Sequence, residues 1–147
     1  MLRTTGLTAT IILMTGTAPA MADLLGDHFV HGGGCYERIY DKAHLRAHPD
    51  QVVTEIHLEA TPDEAVAGST LLYLQFTTRP GSRYGADASC SSANQCLLEG
   101  DGGSFSLAEQ GAAIKLTVGD FLALEGNEDF SPDLATSDDR VFLLNPC

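Results

Sequence analysis

Carboxylates are the most abundant side chains in this sequence that could do chemistry. The chain holds 20 Asp and Glu against 8 Lys and Arg, which gives a net charge of −12 at pH 7. Glu99 and Asp101 lie in a glycine-rich turn, and Asp138 and Asp139 end the acid-rich segment 125–139. Because calcium binds several carboxylate and carbonyl oxygens, these four acids are candidate calcium ligands. Acids that cap turns are the alternative interpretation, since the DxDxDG pattern of a calcium loop is absent.

Histidines provide a second candidate metal site. His44 and His48 are four residues apart, which is the spacing at which two side chains share one face of a helix. Pro49 follows His48, and a residue before proline is disfavoured in helical geometry, so the pair is imperfectly aimed. A solvated helix face is the alternative. His57, between Glu55 and Glu59, is interpreted as a solvent-facing strand residue.

The segment 1–22 has the pattern of a secretory signal peptide. Arg3 is followed by an apolar centre at 11–14 and by small residues that fit cleavage after Ala22 or Ala20. The apolar centre is too short to span a bilayer. We therefore expect a periplasmic or extracellular protein with one domain at 23–147, whose net charge moves from −12 to −13 when Arg3 is removed.

Four cysteines in the exported part indicate disulfides. An even number in an oxidising compartment is typical of paired cysteines, and the CxxC spacing of zinc sites is absent. Four cysteines allow three pairings. Cys90 and Cys96 flank five small or polar residues, an easy loop to close, which leaves Cys35 with Cys147.

Common enzyme motifs are missing. The sequence contains no GxSxG, HExxH, P-loop or GxGxxG pattern. HGGG at 31–34 is similar to the oxyanion loop of some esterases, but the nucleophile motif that it requires is lacking. A glycosidase needs two close carboxylates, but a chain with 20 acids will always have some close pair, so this feature is not specific. For this reason a small hydrolase is only the third functional hypothesis.

Residues 79–89, RPGSRYGADAS, are predicted to form a loop because they contain a Pro-Gly pair. Arg79, Ser82, Arg83 and Tyr84 bring together arginines, a hydroxyl and an aromatic ring, and Tyr and Arg are enriched at binding hot spots. A strongly acidic chain attracts cationic partners and disfavours nucleic acid and anionic membranes. We therefore predict that these four residues contact a cationic protein, with a plain surface turn as the alternative.

Alternation of apolar and polar residues predicts the strands that position these groups. The predicted strands span 35–40, 51–60, 70–78, 104–108, 112–118 and 140–144. Asp41 is expected to cap a short helix that ends at His48. In the second strand Val52 is placed on the inward face and Val53 on the outward face. Gly119 and Asp120 are predicted to form a two-residue hairpin turn.

Together these elements predict an all-β domain, a small antiparallel barrel or sandwich of about seven to eight strands with one short helix. GSRYG at 81–85 resembles a Ser-Gly-x-x-Tyr stretch in the periplasmic inhibitors of C-type lysozyme. Those proteins are small barrels that insert this loop into the cleft of the basic enzyme. The resemblance implies inhibitor-like binding through Ser82, Arg83 and Tyr84, although the Trp and Lys-Gly residues that follow in the family are missing here.

A second resemblance concerns export. CYERIYDKAHL at 35–45 and DDRVF at 138–142 are similar to a group of exported proteins of Gram-negative bacteria, which implies export and no particular activity. The sequence thus predicts an exported acidic binding module. A calcium-binding β-module is the second hypothesis, and calcium is the only cofactor that the residues favour.

Overall fold

The computed structural model describes residues 23–30, 34–61 and 70–147, and shows a closed barrel of eight antiparallel strands. Each strand pairs with the next along the chain, and the last pairs with the first. The strands are β1 (Cys35–Ile39), β2 (Val53–Ala60), β3 (Thr70–Thr78), β4 (Arg83–Cys90), β5 (Gln95–Leu98), β6 (Gly103–Gln110), β7 (Ala113–Leu122) and β8 (Val141–Pro146). The predicted all-β fold is confirmed, and the barrel is the architecture that forms. The predicted signal peptide at 1–22 lies outside the described residues.

Apolar side chains from all eight strands fill the barrel. Leu72, Leu74 and Phe76 alternate inward along β3 and are fully buried, as their sequence pattern predicts. An eight-stranded barrel encloses a space about wide enough for its own side chains, so this interior forms a packed core. The functional surfaces must therefore lie on the outer wall or at the ends.

Both ends of the barrel are covered by chain segments. At one end the π-helical segment Gly26–Val30 packs Phe29 into the core, beside Leu24 and Leu25. These three apolar residues are the reason that the segment packs against the barrel. At the other end Leu124 and Leu134, from the chain between β7 and β8, are buried.

The predicted helix is confirmed as α1 (Lys42–Ala47). The Asp41 carboxylate accepts a hydrogen bond of 2.7 Å from the backbone N–H of His44, and His48 is the C-cap. A 3-10 turn, Leu134–Thr136, begins in the same way at Asp133. No helix within the described ranges is long and apolar enough to cross a membrane.

Two β-bulges correct the predicted strand patterns. The register of β2 and β3 shifts between Val53 and Glu55, so Val53 faces the core and Val52 does not. The prediction of an outward Val53 was wrong because an extra residue in a strand reverses the alternation. The turn predicted at Gly119 is also wrong, since β7 continues to Leu122. Gly119 lies at a bulge opposite Ser104, where a Cβ would collide with the Ser104 side chain.

The predicted loop at 79–89 is also corrected, because most of it is strand β4. β4 pairs with β3 over eight residues, from Thr77 opposite Arg83 to Thr70 opposite Cys90. Apart from Tyr84, its inward residues are the small Ala86, Ala88 and Cys90, and its outward face carries Gly85, so few large apolar residues mark the strand. Because most side chains of β4 are small, its inward–outward alternation could not be predicted from the sequence.

Both predicted disulfides are present. Cys90 and Cys96 are register partners on β4 and β5, with Cα atoms 4.0 Å apart. Cys35 and Cys147 link β1 to the residue after β8, across a sequence separation of 112. The second bridge therefore lies at the seam where the barrel closes.

Candidate binding groove

A groove runs along the outer wall of the barrel beside β4. Its most enclosed part is a hollow of about 330 Å³ lined by Tyr73, Asp87, Glu99, Glu125 and Phe130, among other residues. Gly85 has no side chain, and the Tyr73 phenol occupies the space that a Cβ at this position would need, so the ring lies against the β4 backbone in the lining of the hollow. The remaining wall is formed by the small residues Gly85, Ala86, Gly100, Gly102 and Ala123.

The opposite side of the groove is a short hairpin at 125–130. Glu125 pairs with Phe130 in an antiparallel bridge, and the N–H of Gly126 donates to the Asp129 carbonyl at 2.7 Å. The hairpin is fastened to the barrel by the Gly85 N–H, which donates to the Glu125 carbonyl at 3.2 Å. Backbone hydrogen bonds therefore hold this side of the groove in place without any ligand.

The charge of this first hollow is negative, because the residues that the structure describes in its lining include three acids and no basic residue. Asp87, Glu99 and Glu125 supply carboxylates, and within the described residues none of them lies within 4.0 Å of a basic side-chain nitrogen. The backbone N–H of Glu99 donates to the carbonyl of Asp87 at 2.9 Å, which places these two residues side by side. Phe130 is 64% exposed and presents an aromatic ring beside these acids. A cation with an apolar stem is the ligand that this surface complements.

The groove continues towards the residues that the sequence singled out. One adjoining hollow shares Tyr73, Gly85 and Glu125 with the first and extends to Arg83. A further hollow shares Arg83 and Tyr84 with that second one and extends to Ser82. Ser82 and Arg83 are exposed at the start of β4. The predicted contact residues Ser82 and Arg83 therefore lie at one end of the groove.

Tyr84 and Arg79 are placed differently from the surface residues that we predicted. Tyr84 is 5% exposed and packs against Phe76 in the core, with ring centroids 5.8 Å apart. The Arg79 guanidinium donates to the backbone carbonyls of Gln51, Leu45 and His48 at 2.5, 2.8 and 2.6 Å. Tyr84 thus supports the barrel wall, and Arg79 fastens the end of α1 to the sheet.

The four calcium candidates are not gathered into one site. Glu99 and Asp101 are exposed at the turn after β5, whereas Asp138 and Asp139 precede β8. Across the described part of the chain, no three acids bring their oxygens within 4.8 Å of one another. Asp139 is buried, and its carboxylate accepts N–H groups of Val52 and Val53 at 2.6 and 3.3 Å. Burial raises the pKa of Asp139, against the opposing effect of these hydrogen bonds.

His44 and His48 are stacked, with ring centroids 4.3 Å apart and planes inclined by 25°. A histidine binds a metal through a lone pair in the plane of its ring, and two stacked rings direct these lone pairs side by side instead of to one point. His44 Nε2 also lies 2.9 Å from the side-chain oxygen of Gln51. The pair is therefore arranged as a stack and not as the metal site considered from its spacing.

A carboxylate–histidine–phenol chain joins the N-terminal segment to the barrel. His28 Nε2 lies 2.9 Å from Glu109 Oε1, and His28 Nδ1 lies 2.5 Å from the Tyr36 hydroxyl. This order resembles a catalytic triad, but Tyr36 is 6% exposed and lies under Phe29. Burial and the charge of Glu109 raise the pKa of Tyr36, which opposes use of its oxygen as a nucleophile. The chain serves to hold the segment in place.

The sequence did not predict four residues that line the most enclosed part of the groove, namely Tyr73, Asp87, Glu125 and Phe130. One signal could have located the wall: Arg83, Gly85, Asp87 and Ser89 alternate with residues that are mostly small and apolar. Comparison with protein families, curated proteins and solved structures found no match for this chain, so its function must be inferred from the chemistry of the groove.

Proposed function

We propose that this protein is an exported binding module that holds a cationic, extended segment of a partner protein in the acidic groove. The observation that carries the proposal is the set of three carboxylates without basic partners, Asp87, Glu99 and Glu125, beside the exposed ring of Phe130. Hydrogen bonds between ionised groups are stronger than neutral ones, and an unpaired carboxylate is free to accept them.

The chemistry favours Lys and Arg side chains. Their charged heads match the carboxylates, while their alkyl stems can lie on Phe130 and Tyr73. An aromatic face within reach of an ammonium or guanidinium group adds a cation–π attraction. The groove thereby offers both halves of a basic side chain a matching surface.

The length of the groove favours a polypeptide over a small amine. The hollows follow β4 from Asp87 to Arg83, and Arg83 can donate to a carbonyl or carboxylate of the same ligand. The net charge of −12 should speed the approach of a cationic partner at low salt. Because 81–85 resembles the loop of the lysozyme inhibitors, a C-type lysozyme is the first partner to test.

The test is isothermal titration of the protein with hen lysozyme and, separately, with a synthetic peptide of alternating Lys and Ser. The double variant Asp87→Asn/Glu99→Gln should bind at least one of these probes about tenfold more weakly than wild type. The matched control Asp50→Asn/Asp120→Asn makes the same change in net charge at exposed sites that do not line the groove. Its binding should stay close to wild type.

Two results would count against the proposal. Equal weakening by both double variants would show attraction by net charge alone. A thermal midpoint raised by calcium in wild type but not in Asp87→Asn/Glu99→Gln would assign the groove to a metal ion, because a ligand that binds the native state raises the midpoint.

A further inference from the structure

His57 lies between two carboxylates on the outer face of β1 and β2, next to the long-range disulfide. Glu37 and His57 are register partners, with His57 Nδ1 3.3 Å from Glu37 Oε2. His57 Nε2 lies 2.5 Å from Glu55 Oε1. The ligand atoms of Glu37, His57 and Cys147 all lie within 4.8 Å of one another, which is true of no other His, Cys, Asp and Glu trio in the described ranges.

The hydrogen bond to Glu55 determines which ring nitrogen of a neutral His57 carries the proton. A carboxylate can only accept, so Nε2–H donates to Glu55, and a neutral His57 then carries its lone pair on Nδ1. That lone pair faces a carboxylate oxygen of Glu37, an arrangement that is repulsive unless a proton or a metal ion lies between the two atoms. In metal-binding histidines, the N–H of the ring nitrogen that does not bind the metal commonly donates a hydrogen bond to a carboxylate in this way.

We propose that Glu37, His57 and Cys147 form a metal site of the zinc class, which is completed when a dithiol opens the Cys35–Cys147 disulfide. Zinc binds thiolate, imidazole and carboxylate ligands in tetrahedral geometry, and water can take the fourth position. In the oxidised protein the Cys147 sulfur is bonded to Cys35, so only Glu37 and His57 are good ligands. The side chains of Glu37 and His57 are 33% and 28% exposed, which leaves them accessible to an ion.

The redox step balances by thiol–disulfide exchange. A thiolate of the dithiol attacks the Cys35–Cys147 bond, and its second thiol releases the mixed disulfide. Two electrons and two protons pass to the cysteines, which become two thiols, and the reductant leaves as a disulfide. Zinc then displaces the proton of the Cys147 thiol, because the thiolate is the ligand.

The backbone keeps Cys147 beside its partners when the disulfide opens. β8 pairs with β1 at Pro146 opposite Tyr36, and the Cys147 N–H donates to the Cys35 carbonyl at 3.2 Å. A bound metal would then link the residue after β8 to both β1 and β2. The site thereby replaces a covalent bridge by a coordinated one at the seam of the barrel.

The first test uses Cys35→Ser, which frees Cys147 without a reductant and leaves Cys90–Cys96 intact. Titration of this variant with cobalt under argon should produce a thiolate-to-cobalt charge-transfer band, and zinc should displace it. Oxidised wild type and Cys147→Ser/Cys35→Ser should show no such band. In the Cys35→Ser background, His57→Ala should abolish binding and Glu55→Gln should weaken it by about tenfold or more. A band that survives His57→Ala would overturn the site.

The second test uses wild type, so that it does not depend on the folding of a variant. The protein is reduced with dithiothreitol, desalted, and alkylated with iodoacetamide in the presence or absence of zinc, and the Cys147 peptide is measured by mass spectrometry. Zinc should slow alkylation of Cys147 by at least about tenfold, and it should raise the thermal midpoint of reduced protein only. Equal alkylation rates with and without zinc would reject the proposal.

Discussion

The phenol ring of Tyr73 on β3 lies over Gly85 on β4, where any other residue would place its own side chain. Tyr73 and Gly85 are diagonal neighbours across the two strands, close enough for a long side chain to reach. This relationship places an aromatic ring against the β4 backbone, in the lining of the groove. The shape of the candidate site therefore depends on a residue with no side chain.

Gly85→Ala should change binding more than stability. The added methyl collides with the far end of the Tyr73 side chain, which can move, and alanine reduces the freedom of the unfolded chain. We expect the free energy of unfolding to shift by less than about 1 kcal/mol, while binding of the Lys-Ser peptide weakens severalfold. Urea unfolding and titration measure the two effects. Ser89→Ala on the same face is the control, and equal binding by both variants would contradict this prediction.

The two disulfides should differ in their contribution to stability. In the chain-entropy model a longer closed loop gives more stabilisation, and the sequence separations are 112 and 6. Cys35→Ala/Cys147→Ala should therefore cost about 4–5 kcal/mol, against roughly 2 kcal/mol of loop entropy for Cys90→Ala/Cys96→Ala. Urea unfolding with EDTA present compares the two. A larger cost for the short bridge would show that packing of its buried sulfurs outweighs loop entropy.

Asp139 should give the protein a stability that depends on pH. Because burial raises its folded pKa above the unfolded value, the folded state binds this proton more tightly. The resulting stabilisation is fully present below the unfolded pKa and is lost as pH rises through the folded pKa. Asp139→Asn should flatten this part of the pH profile of the thermal midpoint, and an unchanged profile would rule out Asp139 as its source.

The same side chain has a second effect that does not depend on its charge. Asp139→Ala leaves the N–H groups of Val52 and Val53 without their acceptor, at a cost of about 1–3 kcal/mol. Asp139→Asn keeps an oxygen that can accept and should cost less. Urea unfolding at neutral pH distinguishes the two variants, and equal losses would show that the charge matters more than the acceptor.

Arg79 should contribute to folding and not to binding. Its guanidinium donates to three backbone carbonyls near the end of α1. Arg79→Ala should lower the free energy of unfolding by about 1–3 kcal/mol, while Arg83→Ala should leave it nearly unchanged. Arg83→Ala should instead weaken peptide binding. The reverse assignment, in both unfolding and titration, would place the partner contact at Arg79.

Strands with large apolar residues could be predicted from the sequence, and strands with small ones could not. β3 shows Leu72, Leu74 and Phe76 at alternate positions, so both its existence and its inward face follow from the pattern. β4 carries Gly85, Ala86 and Ala88, which are common in turns and strands alike. The disulfides were predictable because one short loop decides the pairing.

The groove could not be predicted from the sequence for a different reason. Tyr73, Asp87, Glu99 and Glu125 come from four separate parts of the chain, and they meet only when the strands pair and the 125–130 hairpin docks on Gly85. The bulge in β2 likewise comes from pairing, since nothing in the local sequence distinguishes Val52 from Val53. Local alternation thus predicts which face of a strand a residue lies on, whereas the register between strands determines which residues come together in the groove.

Because β8 pairs with β1, the strands that the structure describes form a closed ring in which each has a hydrogen-bonded neighbour on both sides. An unpaired edge is the usual template for intermolecular strand addition, and soluble proteins often protect it with charged residues or proline. This barrel needs no such protection while it stays closed. It can therefore expose apolar side chains such as Leu97 and Val141 on strands whose backbone is already paired with neighbouring strands.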